Sequence, residues 1–383
     1  MRGFRNCNID LEKYGIQKTS LLIQNDRIHG IGDSLKEEKD LLTLPEGLIV
    51  VPGFIDEHIH GANGSDAMDA KEESLANISA SLVREGTTSF LYTTMTMEKT
   101  RIIKALSTID SYLKKQSYVA EPLGIHLEGP FIAKAFKGAQ NEEDILPLSV
   151  SDLNDFMKAS GNRIREITYS YQRGHDDFLT YCKDHQIRLS LGHTDDGAEL
   201  ANEAFYKGTH LVTHMYNAMK GIHHRDVGSA GEALIHDEVY CELICDLHHV
   251  SEDAIRLLYK CKGKDRIILI TDSMEAKYLP DGQYELGGNP VYVKDGTARL
   301  KDGTLAGSIL KLNEGVRNIR RVLGLALEDA VNMASINPAR NLGIEKDYGS
   351  IREGKKADFT VIDEDINVRM VIKNGVIVYR KDI

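Results

Sequence analysis

Short apolar runs recur through the middle of the chain, and helical spacing of apolar and polar positions follows most of them. The eight runs are LIVVPGFIDEHIH, TTSFLYTT, EPLGIHLEGP, IREITYSY, IRLSLGHT, THLVTHMYN, YCELICDLHH and RIILITDSM. Helix-like segments lie between them, including SLANISASLVREG, DDFLTYCKDH, GAELANEAFYKG and SEDAIRLLYKCKG, and the last two end in lysine and glycine, which favours a helix stop. Eight strands that alternate with helices predict an α/β fold of the (β/α)8 TIM-barrel type, although a doubly wound open sheet gives the same alternation.

The two ends of the chain show a different pattern of short strands and turn signals. Asn25-Asp26 separates two apolar stretches near the N-terminus, and Asn374-Gly375 near the C-terminus is a hairpin signal. We therefore expect residues 1–52 and 346–383 to form one small β-sandwich domain, with residues 53–345 forming the barrel. An insertion of roughly residues 277–306, with strand signals of its own, interrupts the barrel pattern after the eighth strand. Two helices follow it, in LKLNEGVRNIRRVLG and LEDAVNMASI.

The composition is that of a globular protein, because 42% of the 383 residues are hydrophobic. No run of 18 apolar residues predicts a transmembrane helix, and the N-terminal segment lacks the apolar core of a signal peptide. The five cysteines are odd in number and scattered, which indicates free thiols in a reducing compartment and predicts a cytoplasmic location. Cys241 and Cys245 lie on one face of a predicted strand, where we expect both to be buried.

The net charge is −11, from 47 basic and 58 acidic side chains. This charge argues against nucleic acid or an anionic membrane as a partner. A small anionic substrate would need a local cluster of hydrogen-bond donors, because the overall field repels it.

Histidines and carboxylates follow the predicted strands at their C-terminal ends. In a (β/α)8 barrel these ends meet on one rim. A histidine pair spaced i, i+2 shares a strand face, and imidazoles with carboxylates suit a borderline divalent ion. A lone strand histidine is commonly structural, but convergence of all six residues predicts a metal centre. They are His58 and His60 after the first strand, Glu128 after the third, His193 after the fifth, His214 after the sixth and Asp272 after the eighth.

Five of these segments together resemble the amidohydrolase superfamily, namely HIHGANG, HLEGPFI, LGHT, THMYNAM and ITDS. Within it the chain most closely resembles the N-acetylglucosamine-6-phosphate deacetylase family. The resemblance extends through nearly the whole chain, including the tail GSIREGKKADFTVID, and HLEGPF, THMYNAM and the LAGS segment at Leu305 to Ser308 are its more family-specific parts. It implies a hydrolase of amino sugar catabolism that removes acetate from N-acetylglucosamine 6-phosphate, giving glucosamine 6-phosphate.

The resemblance also implies the metal ligands. Glu128, His193 and His214 would hold the main divalent ion, and His58 with His60 would bind a second ion that Glu128 bridges. Family members without this histidine pair work with one ion, so the resemblance leaves one or two ions per subunit open. Histidine and carboxylate ligands suit zinc, iron, manganese or cobalt.

Asp272 is implied as the catalytic carboxylate. A divalent ion lowers the pKa of a bound water towards about 7, and Asp272 would accept its proton and then pass it to the departing nitrogen. A strand-end carboxylate that caps the next segment is the simpler structural interpretation of this residue.

The remaining positions implied by the resemblance would bind the substrate. Gln140 stands where some relatives carry a histidine that helps to polarise the substrate carbonyl, which leaves open the group that stabilises the oxyanion; a second ion is one candidate. Arg225 can reach across a subunit interface in this family, which implies a homodimer, and spacing alone does not separate His249 from His248. The substrate-binding positions are Ala139, Gln140, Asn217, Ala218, Arg225, His249, Leu305, Ala306 and Gly307.

Other functions fit part of the pattern. Cyclic-amide enzymes of the superfamily commonly bridge two metals with a modified lysine on strand four, but IREITYSYQ contains no lysine. An N-acyl amino acid or N-acetylgalactosamine 6-phosphate are further candidate substrates, and one inverted hydroxyl leaves no mark in the sequence. A catalytically inactive barrel kept as a scaffold would be expected to have lost ligands, and the main-site ligands are all present.

Overall fold

The computed structural model of the chain describes residues 2–116 and 118–381. Met1, Asp382 and Ile383, which belong to the predicted terminal domain, lie outside the described residues. The strands are β1 Gly3–Leu11, β2 Gly15–Gln24, β3 Arg27–Ile31, β4 Ile49–Pro52, β5 Phe54–Ile59, β6 Gly61–Ala62, β7 Ser65–Asp66, β8 Thr87–Thr94, β9 Glu121–Glu128, β10 Ile164–Tyr169, β11 Arg188–Leu191, β12 Leu211–Val212, β13 Tyr240–Ile244, β14 Ile267–Ile270, β15 Gly282–Leu286, β16 Asn289–Lys294, β17 Thr297–Arg299, β18 Phe359–Ile362, β19 Val368–Lys373 and β20 Val376–Arg380.

Helices follow the barrel strands and then lead the chain back to the terminal sheet. The α-helices are α1 Glu72–Leu82, α2 Lys99–Lys114, α3 Val150–Ala159, α4 Asp176–Asp184, α5 Ala198–Tyr206, α6 Gly228–Ile235, α7 Glu252–Lys262, α8 Leu312–Leu323, α9 Leu327–Asn332 and α10 Ile336–Asn341. The 3₁₀ helices span Asp33–Glu37, Ala67–Asp69, Val83–Glu85, Lys134–Phe136 and Glu142–Asp144. The sequence pattern predicted α8 and α9 but not α10.

Eight parallel strands form the barrel, in the order β5, β8, β9, β10, β11, β12, β13 and β14. Each is followed by one helix, from α1 to α8, as the alternating pattern predicts. The strands are apolar along most of their length because both faces are covered, and all residues of β8 are buried. The (β/α)8 fold expected from the sequence is confirmed.

Backbone hydrogen bonds across the junction between the end of β5 and the chain after β14 close the barrel. The N–H of Asp272 donates to the carbonyl of His58 at 2.9 Å, and the N–H of His60 donates to the carbonyl of Ser273 at 3.0 Å. An open doubly wound sheet leaves its edge strands unpaired, so these bonds exclude that alternative.

Helix α7 illustrates how local sequence determines the helix ends. The Ser251 side chain accepts a hydrogen bond from the N–H of Ala254, which caps the N-terminus, and two acidic residues lie in the first turn. The helix ends at Lys262, and Gly263 follows with a positive φ of 62°. The lysine-glycine stop predicted here is therefore confirmed.

The insertion after the eighth strand forms a small antiparallel sheet of β15, β16 and β17. The Asn289 side chain donates to the carbonyl of Ala139 at 3.0 Å, which ties the insertion to the loop that follows β9. Both segments lie at the C-terminal ends of the barrel strands, so the insertion helps to cover that rim.

The chain termini form a single seven-stranded sheet, in the order β20-β19-β18-β4-β1-β2-β3. The segment before β18 also contacts the β2–β3 turn, because the N–H of Ala357 donates to the carbonyl of Asp26 at 2.8 Å. The Phe4 and Phe359 rings pack edge to face inside this domain, with centroids 5.8 Å apart. A separate β domain built from both termini is confirmed, while the exact limits 1–52 with 346–383 and 53–345 stay a prediction.

The cysteines agree with the sequence-based expectation. All five are free thiols; Cys241 and Cys245 are both buried, and Cys261 is exposed. Within residues 2–116 and 118–381, no helix has the length and apolar character needed to cross a membrane.

Candidate active site

Three side chains from three barrel strands meet at one point on the rim. The Nε2 atoms of His193 and His214 lie 3.1 Å apart, and each is 3.2 Å from the same carboxylate oxygen, Oε1 of Glu128. All three residues are buried. We call these residues, together with His58, His60 and Asp272, the rim cluster.

The spacing of this triad fits a divalent metal ion. A tetrahedral ion with bonds of about 2.0–2.1 Å holds its ligand atoms roughly 3.3 Å apart, close to the separations in the triad. The Nδ1 atom of His193 donates to the carbonyl of Phe136 at 2.8 Å, so the lone pair of Nε2 faces the triad. The donor set and its orientation are those of a metal site.

The histidine pair and Asp272 adjoin the triad on its other side. Nε2 of His60 lies 3.2 Å from Oε2 of Glu128 and 3.1 Å from Oδ1 of Asp272. Nε2 of His58 is 3.5 Å from Oε1 of Glu128 and 3.5 Å from Oδ1 of Asp272, and it has no hydrogen-bond partner in the described part of the chain. A buried imidazole nitrogen of this kind can bind a metal ion that displaces its proton, and Glu128 stands between the two groups of ligands.

The electrostatics of the rim cluster favour a cation. Burial alone would raise the pKa of Glu128, but the imidazoles around it, foremost His58, hold that pKa well below its ordinary value. Burial opposes the charging of His58, yet nearby carboxylates, foremost Glu242, raise its pKa to about 9. The imidazoles of His58 and His60 likewise overcome burial and lower the pKa of Asp272. A divalent ion would supply the positive charge that these carboxylates require.

Three members of the rim cluster have an unusual backbone conformation. His193, His214 and Asp272 have positive φ angles of 46°, 30° and 48°, which side-chain-bearing residues rarely adopt. Each follows the end of a barrel strand, where the chain turns towards the centre of the rim. Such local strain typically costs about 1–3 kcal/mol per residue and tends to occur where a site requires a particular side-chain direction.

A cavity of about 380 Å³ opens over the triad. Glu128, His193, His214 and Asp272 line its floor, while His58 and His60 are buried beneath it. The walls come from the β9–α3 loop, the β12–α6 loop, the insertion and the segment before α8. Seven of the nine predicted substrate-binding residues line the cavity: Ala139, Gln140, Asn217, Ala218, His249, Leu305 and Gly307.

Two predicted substrate-binding residues lie elsewhere. Ala306 is fully buried, and its N–H donates to the carbonyl of Ala298. Arg225 does not line the cavity; it is exposed in the β12–α6 loop, where Nη1 lies 2.9 Å from Nε2 of His224. The structure also separates two neighbouring histidines, because His249 lines the cavity and His248 is exposed.

Gln140 has a defined amide orientation. Its side-chain oxygen accepts a hydrogen bond from the backbone N–H of Thr96 at 3.0 Å. Because a backbone N–H only donates, the oxygen must face Thr96, which leaves the amide nitrogen 3.4 Å from Nε2 of His193. Gln140 therefore presents a donor to the cavity beside the triad.

A buried carboxylate that was not predicted from the sequence supports the rim cluster. Oε2 of Glu242 on β13 accepts from Nδ1 of His58 at 3.0 Å and from the N–H of His214 at 3.1 Å. Glu57 and Glu166 join it, and their carboxylates lie within 4.8 Å of one another. The available signal was an acidic residue inside a strand that is otherwise apolar, as in YCELICDL. We call these three residues the carboxylate layer.

The carboxylate layer lies inside the barrel, beneath the rim. All three residues are fully buried, and the Asn341 amide donates to Glu57 at 3.1 Å and to Glu166 at 3.3 Å. Burial, followed by repulsion from neighbouring carboxylates, raises the pKa of Glu57 and of Glu166 well above the ordinary value. Glu57 and Glu166 therefore hold their protons more strongly than exposed carboxyl groups do.

The fold and the site define a hydrolase of the amidohydrolase type, and comparison with known proteins agrees. A family model described as "Amidohydrolase family" matches residues 49–378. The chain belongs to the amidohydrolase family, whose members are typically metal-dependent, and the clusters described above are its candidate metal ligands.

Several proteins similar to this chain are named as deacetylases of amino sugar phosphates. The chain is 42% identical over 339 residues to N-acetylglucosamine-6-phosphate deacetylase of Bacillus subtilis (strain 168), covering 88% of this chain and 86% of that protein. It is 35% identical to N-acetylgalactosamine-6-phosphate deacetylase of Escherichia coli O157:H7, covering 85% and 87%. The crystal structure of N-acetylglucosamine-6-phosphate deacetylase from Thermotoga maritima superposes with a TM-score of 0.89 at 34% identity, covering 99% of this chain and 100% of that one.

Proposed function

We propose that this protein hydrolyses the acetamide of N-acetylglucosamine 6-phosphate, giving glucosamine 6-phosphate and acetate in amino sugar catabolism. The observation that carries the proposal is the meeting of Glu128, His193 and His214 within 3.1–3.2 Å of one another, on the floor of a cavity that Asp272 also lines. The similarity to named deacetylases over most of the chain supports this substrate.

Glu128, His193 and His214 would hold the main divalent ion, and His58 with His60 would hold a second one. A bound ion of this kind lowers the pKa of a water molecule and polarises an amide carbonyl. Zinc, iron, manganese and cobalt all accept imidazole and carboxylate ligands. Two ions per subunit suit the chain because Glu128 offers one oxygen to the triad and the other to His60.

Asp272 would act first as the general base and then as the general acid. Its lowered pKa keeps the carboxylate ionised at neutral pH, so Oδ1 is available to accept a proton from the attacking water. As the C–N bond breaks, the same oxygen would return the proton to the amine nitrogen. The products are then acetate and the free amine of the sugar.

Gln140 would stabilise the oxyanion. Its amide nitrogen faces the cavity beside His193, and the bond from Thr96 prevents the side chain from presenting its oxygen instead. A donor aligned in advance towards developing negative charge stabilises the transition state more than the ground state. Gln140 would thus take the role of the histidine that some relatives carry at this position.

Binding of the sugar phosphate needs cationic donors, which His249 and Arg225 would supply. The Nδ1 atom of His249 lies 2.6 Å from Oδ2 of Asp246, which orients its ring at the cavity wall. Arg225 is exposed and outside the cavity of its own subunit, an arrangement that suits a homodimer in which it completes the partner's site. Asn217, Ala218, Ala139, Leu305 and Gly307 would contact the sugar, and Ala306 would support that wall. A cytoplasmic location suits the free thiols.

A substrate screen tests the proposal. Purified protein loaded with Zn²⁺, Fe²⁺, Mn²⁺ or Co²⁺ is assayed for acetate release, and bound metal is measured by elemental analysis. We expect N-acetylglucosamine 6-phosphate to be the best substrate and unphosphorylated N-acetylglucosamine to be much poorer. Equal rates with and without the phosphate would contradict the phosphate site, and a protein that neither binds an ion nor releases acetate would be an inactive scaffold.

N-acetylgalactosamine 6-phosphate is the second candidate substrate. The Escherichia coli O157:H7 relative that bears this name is 35% identical to the chain. The two sugars differ by one inverted hydroxyl, so the ratio of their kcat/KM values in the same screen decides between them.

A further inference from the structure

Glu242 connects both groups of candidate metal ligands through one oxygen atom. Its Oε2 atom accepts from the ring nitrogen Nδ1 of His58 at 3.0 Å and from the backbone N–H of His214 at 3.1 Å. Glu242 and His58 are both fully buried. The carboxylate therefore contacts the side chain of His58, a ligand of the proposed second ion. It also contacts the backbone of His214, a ligand of the main ion.

We propose that Glu242 is a positioning residue that holds His58 in the tautomer required for metal binding. The proposal rests on the function proposed above. Donation from Nδ1 to a carboxylate places the proton on that nitrogen and leaves the lone pair on Nε2, which points towards Glu128 and Asp272. A carboxylate behind a ligating histidine fixes the ring and makes its nitrogen a better ligand.

The surroundings of Glu242 argue against a purely structural role. A buried carboxylate is normally stabilised by a lysine or arginine. Among the described residues, Glu242 has no ion pair with either, and its single ion-pair partner is His58. Glu57 and Glu166 add further carboxylates within 4.8 Å. Two of its hydrogen-bond donors, the His58 ring and the His214 backbone, belong to the rim cluster, and Glu166 shares a further side-chain hydrogen bond with it.

The two contacts of Glu242 differ in kind, which gives the proposal a specific consequence. Glu242 accepts a hydrogen bond from the imidazole ring of His58. At His214 it accepts one from the backbone N–H, so it does not orient the His214 ring directly. Loss of the carboxylate should therefore weaken binding of the second ion, held by His58 and His60, more than binding of the main ion. A general destabilisation of the barrel would instead lower the affinity for both ions to the same extent.

The matched variants are Glu242→Gln and Glu166→Gln. Both replace a fully buried carboxylate of the carboxylate layer by an isosteric amide. Glu166 lies near His126 and shares a side-chain hydrogen bond with Glu242, but among the described residues it has no hydrogen bond or ion pair with His58 or His214. Glu166→Gln therefore alters the layer without removing the carboxylate behind His58. Metal-free native protein and both variants are titrated with Co²⁺ against a competing chelator, and the bound ions are counted. Circular dichroism establishes that each variant is folded.

We expect the native protein to bind two Co²⁺ ions and Glu242→Gln to bind the second ion about 10- to 100-fold more weakly. The affinity for the main ion should change much less, and Glu166→Gln should bind both ions with affinities close to those of the native protein. The proposal is overturned if Glu242→Gln binds both ions with unchanged affinity, or if its affinity for both ions falls equally. It is also overturned if the native protein binds only one ion and the variant binds that ion equally well. A native protein that binds no ion would instead contradict the proposed function.

A second measurement applies if Glu242→Gln does not fold. The native Zn²⁺-loaded protein is labelled with ¹⁵N-histidine, and His58 is assigned by comparison with His58→Asn. We expect an exchange-protected proton on Nδ1 of His58. A proton on Nε2 of this ring would overturn the proposal.

Discussion

The backbone N–H of Asp272 donates a hydrogen bond to the carbonyl of His58 at 2.9 Å, across the junction that closes the barrel. The same junction brings Oδ1 of Asp272 within 3.1 Å of Nε2 of His60. The contacts that close the sheet therefore also bring the side chains of the acid–base site together. A change of the Asp272 side chain leaves the backbone bond in place, so its chemistry can be tested separately from the fold.

Replacement of Asp272 by asparagine should reduce kcat by about 10²- to 10⁴-fold, because the amide cannot accept and return a proton. Initial rates of acetate release measure the effect. Elemental analysis provides the control, since bound metal should be retained. Near-native turnover in Asp272→Asn would show that another group transfers the proton.

Replacement of Gln140 by alanine should lower kcat by about 10²- to 10³-fold, the usual effect of removing one oxyanion donor. The change in KM should be small, because the donor acts mainly in the transition state. Gln140→His should recover part of the activity, since its ring can also donate. If Gln140→Ala raises KM and leaves kcat unchanged, Gln140 binds the ground state instead.

Removal of the bound metal should lower stability as well as activity. Glu128 and Asp272 converge on the rim cluster, where a cation offsets their mutual repulsion. An ion present at 100 times its Kd stabilises the fold by about 2.7 kcal/mol. Thermal unfolding with and without a chelator measures this difference, and added Zn²⁺ should restore it. An unchanged Tm in protein that has demonstrably lost its metal would contradict the expectation.

Complementation between two impaired variants tests whether Arg225 acts across a dimer. Arg225→Ala should mainly raise KM for the phosphorylated sugar, and Asp272→Asn should lower kcat. Mixed dimers contain one site with native Asp272 and native Arg225 from the partner, so mixing after reversible dissociation should restore activity. The control is each variant mixed with itself. No recovery in proven mixed dimers would mean that Arg225 acts in its own subunit or not at all.

Asp10 provides a pH-dependent prediction outside the active site. Burial, followed by Glu328 and Asp329, raises its pKa from 3.8 to about 7. The folded state therefore keeps a proton that the unfolded chain releases near pH 4, so the free energy of unfolding falls as pH rises from about 4 to 7. Asp10→Asn should be more stable than the native protein by roughly 2–4 kcal/mol at pH 8 and equally stable at pH 4. Denaturant unfolding at both pH values measures this, and a pH-independent difference would contradict it.

Much of the fold could be predicted because its signals are local. The hairpin signals at Asn25 and Asn374 fall in turns where those residues have φ angles of 57° and 50°, as tight hairpins require. The helix stop after Lys262 is equally local. Helix α10 was not predicted, because its segment INPARN contains a proline and two asparagines, which are poor helix formers.

In the active site, the positions of the strand ends were enough to predict which side chains reach the rim. A residue that ends a parallel strand must lie at the shared C-terminal edge, so Glu128, His193 and His214 could be grouped before their distances were known. Family resemblance added roles to that grouping, and seven of nine substrate positions lie at the cavity. Their individual roles remain predictions.

Which atoms meet across the barrel depends on how the strands pack in three dimensions. Strand alternation gives the direction of a side chain but not its partner on another strand, so the contact between Glu242 and His58 left no pattern in the sequence. The amide orientation of Gln140 depends in the same way on Thr96, a residue 44 positions away. Arg225 lies outside its own cavity because loop conformation, unlike strand direction, is not set by hydrophobic periodicity.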